Sequence, residues 1–233
     1  MITLTKRGEK MEIEKIATIR TDFKTKFGIP RQSGLVKKLK GEIVFESKYN
    51  SPDAIRGIEG FSHLWILWGF SENDNYTYSA TVRPPRLGGN ARVGVFASRS
   101  PFRPNGLGLS LVKLDSVVKC ENNTYTLRVS GVDMVDKTPI YDIKPYLPHT
   151  DHAPDATGGF ADDVYEYELE VNCDSTLLDV LDEDKREILL EILAQDPRPS
   201  YIEDAQRVFG FEFADHEIKF KVDKKTLTVV SID

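Results

Sequence analysis

Apolar and polar residues alternate with a period of two in several short stretches of the first 170 positions. Ile13–Thr21 (IEKIATIRT) and Gly41–Tyr49 (GEIVFESKY) both carry this pattern, which predicts half-buried strands. Ser62–Phe70 (SHLWILWGF) is instead a continuous apolar run, bounded by Gly60 and the polar SENDN. It is short for a helix and rich in aromatics, so it predicts a buried strand. Arg92–Ser98, Leu107–Val118, Thr124–Val135 and Asp163–Val171 predict four more. Many short strands separated by Gly, Pro and Asn turns point to a barrel or closed sheet. No strand–helix–strand alternation is present, which argues against a doubly wound nucleotide-binding fold.

The pattern changes near the C-terminus. Leu177, Leu178, Leu181, Ile188, Leu189, Ile192 and Leu193 recur close to helical spacing, with Asp182 as a candidate N-cap and Pro197 as a stop. His216–Ile232 then reads as a hairpin turning at DKK. The expected fold is therefore mainly β, a non-Rossmann β-barrel with a small α+β C-terminal domain. The expected division is a tail over 1–12, a barrel over 13–155 and a helix-plus-hairpin unit over 160–233, joined through the Pro/Asp/Gly-rich Pro148–Gly159. Met11 is an alternative start.

Charge changes the picture more than composition does. The 233 residues carry a net charge of −6, which does not by itself suggest a nucleic-acid partner. From Asn75 to Leu114, however, there is no Asp or Glu, while Arg83, Arg86, Arg92, Arg99, Arg103 and Lys113 make the segment +6 and leave −12 elsewhere. This asymmetry suggests a local anionic ligand on an acidic body. Cys120 and Cys173 are too few for a disulfide framework and lack metal-ligand spacing. No apolar run approaches the roughly 18 residues of a membrane helix. The first residues lack a signal-peptide core, so the expected location is the cytoplasm.

Several motifs compete for the chemistry. The NGLGLS stretch has Gly106 and Gly108, but Leu111 stands where a dinucleotide loop needs its third glycine, and strand rather than helix follows. His149 and His152 lie in a proline-rich loop beside Asp151 and Asp155, where a solvated loop accounts for them better than a metal does. Asp133, Asp136 and Asp142 fall among turns and strand ends, either as turn formers or as acceptors for a cationic or hydroxyl-bearing ligand. The five arginines between Arg83 and Arg103 are interleaved with Pro84, Pro85, Pro101 and Pro104, which stiffen the backbone and forbid a helix. Rigid guanidinium groups suit carboxylate or phosphate; surface ion pairs are the alternative.

Four stretches, KFGIPRQ, FSHLWILW, RPPRLGGNARVGVFASRSPFRPNGLGLS and GVDMVDKTPIYDIKPYLPHTD, resemble the TsaA-like or TrmO-type methyltransferases. The likeness runs from Ile13 to Asp151 and reaches the C-terminal unit through LAQDPRPSY. It implies a β-barrel enzyme that uses S-adenosylmethionine to methylate N6 of threonylcarbamoyl-adenosine beside the anticodon of threonine tRNA. It also implies a homodimer whose partner completes the cofactor cleft. A non-catalytic adenosylmethionine- or nucleotide-sensing module, or a methyltransferase with another substrate, are the competing readings.

Carried over by position, the resemblance implies cofactor contacts at Pro30, Arg31, Gln32, Phe70, Ser71, Arg99, Leu109 and Asp133–Pro139, including Asp136, Lys137 and Thr138. Asp133 or Asp136 is the candidate general base. Arg86 or Arg103 is the candidate partner of the threonyl carboxylate, and Arg198 and Tyr201 are candidate contacts to the tRNA anticodon stem-loop. Two positions depart from the family pattern: Ser71 replaces a frequent His, and Lys137 replaces the Gly of DGTP. If that Gly adopts positive φ, Lys137 strains the turn.

Overall fold

The computed structural model describes residues 2–6, 9–71, 77–87, 91–164, 167–198 and 204–233. Its strands are β1 (Ile2–Lys6), β2 (Glu9–Ile13), β3 (Ala17–Thr21), β4 (Lys40–Phe45), β5 (His63–Gly69), β6 (Thr81–Val82), β7 (Val93–Gly94), β8 (Leu107–Lys119), β9 (Tyr125–Ser130), β10 (Pro139–Pro145), β11 (Glu170–Asn172), β12 (Phe209–Phe213), β13 (His216–Asp223) and β14 (Thr226–Ile232). The helices α1 (Pro148–Asp151) and α2 (Glu183–Ala194) join them, with short 3-10 turns between.

Six strands close a barrel in the order β10-β3-β4-β9-β8-β5, every pair antiparallel. Side chains from alternate positions of the strands fill it. Leu64, Ile66 and Trp68 point inward from β5, Ile19 from β3, Ile43 from β4, Val112 from β8, and Leu127 and Val129 from β9; all are buried. Closure removes the free edges that an open sheet of this kind would expose.

The C-terminal unit is a four-stranded sheet, β11-β14-β13-β12, with β11 parallel to β14 and α2 beside it. Ile188, Leu189, Ile192 and Leu193 form the buried stripe of α2, as their spacing predicted, and Asp182 occupies the N-cap position without a side-chain capping bond.

This sheet shares its core with the barrel. The segment after β3 carries Phe23, fully buried, whose ring lies 6.3 Å from Phe211 and 5.5 Å from Phe213. At Gly28, φ is +91° and a Cβ would sit 2.4 Å from the Phe211 ring, so this crossing requires glycine. Ion pairs Asp22–Lys185, Lys24–Asp215 and Lys40–Asp184 rim the contact.

Several expectations are corrected. A β1–β2 hairpin occupies the stretch expected as a tail, and the chain breaks from strand between Ile13 and Ala17. Of Arg92–Ser98 only β7 is strand, because Val95–Ala97 turns as a 3-10 helix. Asp163–Val171 ends in strand only from Glu170; Leu169 and Tyr167 gain their burial from packing rather than from a ladder. β10 was not foreseen. It starts and ends at a proline and carries a bulge between Ile140 and Asp142, all of which mask a strand pattern. β12 was also missed.

Candidate active site

The site is built where β5, β8 and the turn after β9 meet. Gly108 and Ser110 follow the inward register of β8, facing Trp68 of β5. A Cβ on Gly108 would lie 2.3 Å from the indole, so only glycine lets the ring cross the strand. The indole Nε1–H then donates to Ser110 Oγ at 2.9 Å, and the Ser110 hydroxyl donates to Asp133 Oδ1 at 2.6 Å. Phe70 packs edge-on against Trp68 at 4.4 Å. Burial pushes the Asp133 carboxyl up to about 6; hydrogen bonds from Ser110 and from the backbone N–H groups of Ser33 and Asp133, with the nearby Arg99 charge, oppose it without cancelling it.

Three consecutive loop residues attach this corner to the rest of the molecule. Ser33 Oγ accepts from the Leu111 N–H at 3.2 Å, while its own N–H reaches Asp133. Gln32 Oε1 accepts from Arg99 Nη1 at 2.5 Å. Arg31 turns the other way. Its Nη2 donates to the carbonyls of Asp196 at 3.3 Å and Arg198 at 3.2 Å, in the C-terminal unit. Pro30 is buried at the head of the loop.

The Asp136–Pro139 turn behaves differently. Asp136 Oδ1 accepts from the Thr21 N–H at 3.2 Å, and the Asp136 and Lys137 N–H groups donate to Phe23 and Ile19 carbonyls, both at 2.7 Å. Thr138 is buried and Pro139 opens β10. Asp136 therefore finishes the end of β3. Lys137 has φ +64°, the left-handed conformation that the departure from Gly raised as a strain. Asp142 lies outward and pairs with Lys144 at 2.8 Å.

The arginine island divides its labour. Arg99 is exposed and faces Gln32 and Asp133. Arg103 Nη1 instead donates to the carbonyls of Val95 at 3.2 Å and Ser98 at 2.7 Å, with its guanidinium over the Phe96 ring, so it clasps the island's own backbone. Arg92 donates to Thr81 Oγ1 at 3.1 Å. Ser71 is exposed, and Leu109 is 56% exposed beside the corner. The side chain of Arg86 and all of Tyr201 lie outside the described residues.

Arg198, expected as a tRNA contact, is mostly buried: Nε donates to both carboxylate oxygens of Asp196, at 3.0 and 3.2 Å, and Tyr167 OH reaches Asp196 Oδ2 at 3.2 Å. Among the described residues no group of three or more His, Cys, Asp or Glu could hold a metal, and no helix is long and apolar enough to cross a membrane.

Sequence reasoning missed Ser110, Trp68 and Ser33, and also Asp196. A signal existed for Ser110, a polar residue in the inward register between Gly108 and Val112. For Ser33 none did, since its N–H to Asp133 and its hydroxyl to Leu111 both meet partners that only folding brings close.

The donor set suits S-adenosylmethionine. Arg99 and Gln32 offer charge and polarity for a carboxylate or hydroxyls, Asp133 offers an acceptor near a cation, and Phe70 and Leu109 offer apolar surface. A closed antiparallel barrel with such a corner at its mouth defines a non-Rossmann cofactor-using enzyme class. The chain belongs to the tRNA-methyltransferase O family: the model of the family's N-terminal domain matches residues 18–152 and that of its C-terminal domain matches 166–233. It is 42% identical over 230 residues to the tRNA (adenine(37)-N6)-methyltransferase of Escherichia coli K12, covering 95% of this chain and 97% of that protein. A tRNA (adenine(37)-N6)-methyltransferase of Eikenella corrodens is 44% identical over 165 residues, 70% of this chain and 92% of that one. The crystal structure of TrmO from Pseudomonas aeruginosa superposes with a TM-score of 0.73 at 28% identity, covering 96% of this chain and 98% of that one.

Proposed function

We propose that this protein is an S-adenosylmethionine-dependent tRNA methyltransferase acting on N6 of adenosine 37, with the threonylcarbamoyl-modified base as substrate. The observation that carries this reading is the 42% identity to the Escherichia coli enzyme across nearly the whole of both chains. Residues 13–155 are read as the cofactor-binding barrel and 160–233 as a unit that supports it.

S-adenosylmethionine supplies an activated methyl group on a positively charged sulfur; the chain's own task is to position and to move a proton. Pro30, Arg31, Gln32, Phe70, Ser71, Arg99, Leu109 and the 133–139 turn are the residues read as bordering the donor. Asp133 is favoured over Asp136 as general base. Its carboxyl titrates near 6, close to working pH, and Ser110 fixes one oxygen while Asp136 is committed to Thr21. Asp133 then takes the proton released from N6, whose acidity the attached carbonyl raises. Holding N6 in line with the methyl carbon is the larger contribution. The threonyl carboxylate is assigned to Arg86 or to the edge of Arg103 that its Nη1 clasp leaves over. Phosphate contacts from the acid-free Asn75–Leu114 segment would make binding of the anticodon stem-loop strongly salt-dependent.

A homodimer is part of this reading. Tyr78, Phe96, Phe102 and Leu109, all in the acid-free Asn75–Leu114 segment, are between 46% and 70% exposed, and a second copy over them would shut out water. A cytoplasmic location goes with this reading, since its substrate would be tRNA.

The test is mass spectrometry of tRNA nucleosides from cells with and without the gene. Loss of N6-methylated threonylcarbamoyl-adenosine on deletion is expected; its persistence overturns the reading. Calorimetry with S-adenosylmethionine separates the cofactor assignment from the substrate assignment.

A further inference from the structure

The loop Arg31–Gln32–Ser33 faces three ways at once. Ser33 holds Asp133 and Leu111, Gln32 holds Arg99, and Arg31 holds two carbonyls of the C-terminal unit. Those two carbonyls, of Asp196 and Arg198, converge on one nitrogen only while the turn between them keeps its shape. Asp196 follows Gln195, the C-cap of α2, with φ +53°, a left-handed helix ending that Asp tolerates, and its side chain is held by its neighbours. The neighbours are identifiable: Arg198 grips both oxygens of the Asp196 carboxylate, and Tyr167 bonds one of them. Asp196 is 5% exposed and the Arg198 side chain 11%, so this cluster is interior. A buried pair of this kind contributes little net stability but fixes geometry, and breaking it is costly.

We infer that the Asp196–Arg198–Tyr167 cluster is a positioning device for the methyl-donor site. It shapes the turn that receives Arg31, and through Arg31 sets the loop that aims Gln32 at Arg99 and Ser33 at Asp133. On this account Arg198 serves the cofactor and not the tRNA directly. The inference rests on the reading that the Gln32–Arg99–Asp133 corner receives S-adenosylmethionine. Motion of the turn by a fraction of a hydrogen-bond length is enough, because the three loop residues are consecutive and cannot adjust independently.

The test uses the full chain in a Trp65→Phe background, which leaves Trp68, bonded to Ser110, as the single reporter. Arg198→Lys keeps the charge and removes the Nε–H that the two Asp196 oxygens share. It is expected to weaken S-adenosylmethionine binding, measured by calorimetry without tRNA, about tenfold. It should also shift Trp68 emission in the ligand-free protein and leave affinity for an unmodified anticodon stem-loop RNA within about twofold. Unchanged donor affinity with weakened RNA binding would overturn the inference and make Arg198 an RNA contact. If Arg198→Lys does not melt cooperatively, Tyr167→Phe takes its place, removing one hydroxyl; about threefold weaker donor binding is expected, and none overturns the inference. If the parent chain binds no S-adenosylmethionine, the functional reading fails by itself. An Arg198→Lys shift in Trp68 emission would then still uphold the mechanical link, and no shift would overturn it.

Discussion

Asp133 and Asp136 stand three residues apart in one turn region, and the fold treats them in opposite ways. Asp136 satisfies the Thr21 N–H and closes the end of β3, a structural role that any good acceptor could fill. Asp133 is desolvated, receives a directed hydroxyl from Ser110, and has Arg99 nearby. The same side chain becomes either a cap or a desolvated carboxyl with a raised pKa according to what surrounds it, and spacing in the sequence carries none of that difference. Perturbed carboxyls of the second kind cluster at functional sites.

The contrast can be broken by paired substitutions. Asp133→Asn should reduce kcat by a factor on the order of 10² to 10⁴, whereas Asp136→Asn, whose amide oxygen can still accept from Thr21, should change it by less than about threefold. The same Asp133→Asn protein should also be more stable at pH 7.5, by roughly 1–3 kcal/mol in a denaturant titration. The sign follows from the carboxyl lying at about 6 in the folded chain against 3.8 ordinarily: the folded form holds the proton more tightly between those values, so stability declines as pH rises through that window. Loss of activity together with lower stability would deny Asp133 its role as a strained base.

The pH dependence gives a second handle. With kcat/KM measured in steady state, activity should fall below a midpoint near 6 and be about tenfold down one unit below it. The Asp136→Asn protein should keep that midpoint. A smaller effect belongs to Ser110→Ala: losing a bond that favours the carboxylate moves the midpoint upward and lowers kcat/KM at pH 7 by about three- to tenfold. A midpoint that stays in place would detach Ser110 from Asp133. Smallest is Lys137→Gly, which relieves the left-handed φ next to Asp136 and should raise stability by about 1 kcal/mol, seen as a shifted thermal midpoint. No gain would mean that the Lys137 side chain makes up for the backbone cost.

How much of this was legible in the sequence depends on the range of the interaction. The barrel strands β3 and β4 were readable because apolar positions alternate with the pleat, as in Ala17 and Ile19, and β5 because its apolar run is short and aromatic. β10 was hidden by Pro139, Pro145 and a bulge, and Asp163–Val171, read as a strand from its alternation, reaches strand only at Glu170. The arginine island was conspicuous as charge, yet its roles were not. Arg103 serves the island's own backbone and Arg198 serves Asp196, because each meets partners that only the folded chain brings close. The positive φ at Lys137 was raised only by the resemblance, through the Gly that the family pattern has at that position.

Phe23 has a consequence for the order of assembly. It leaves β3 early in the chain, but its pocket is lined by Phe211 and Phe213, which are made near the end. During synthesis the barrel strands emerge first, and this ring has no partner until the last sheet is released. The neighbouring Gly28 and the Arg31–Ser33 loop share that wait. A nascent or truncated chain thus has its barrel sequence complete while the Arg31 contacts to the Asp196 and Arg198 carbonyls are still unmade.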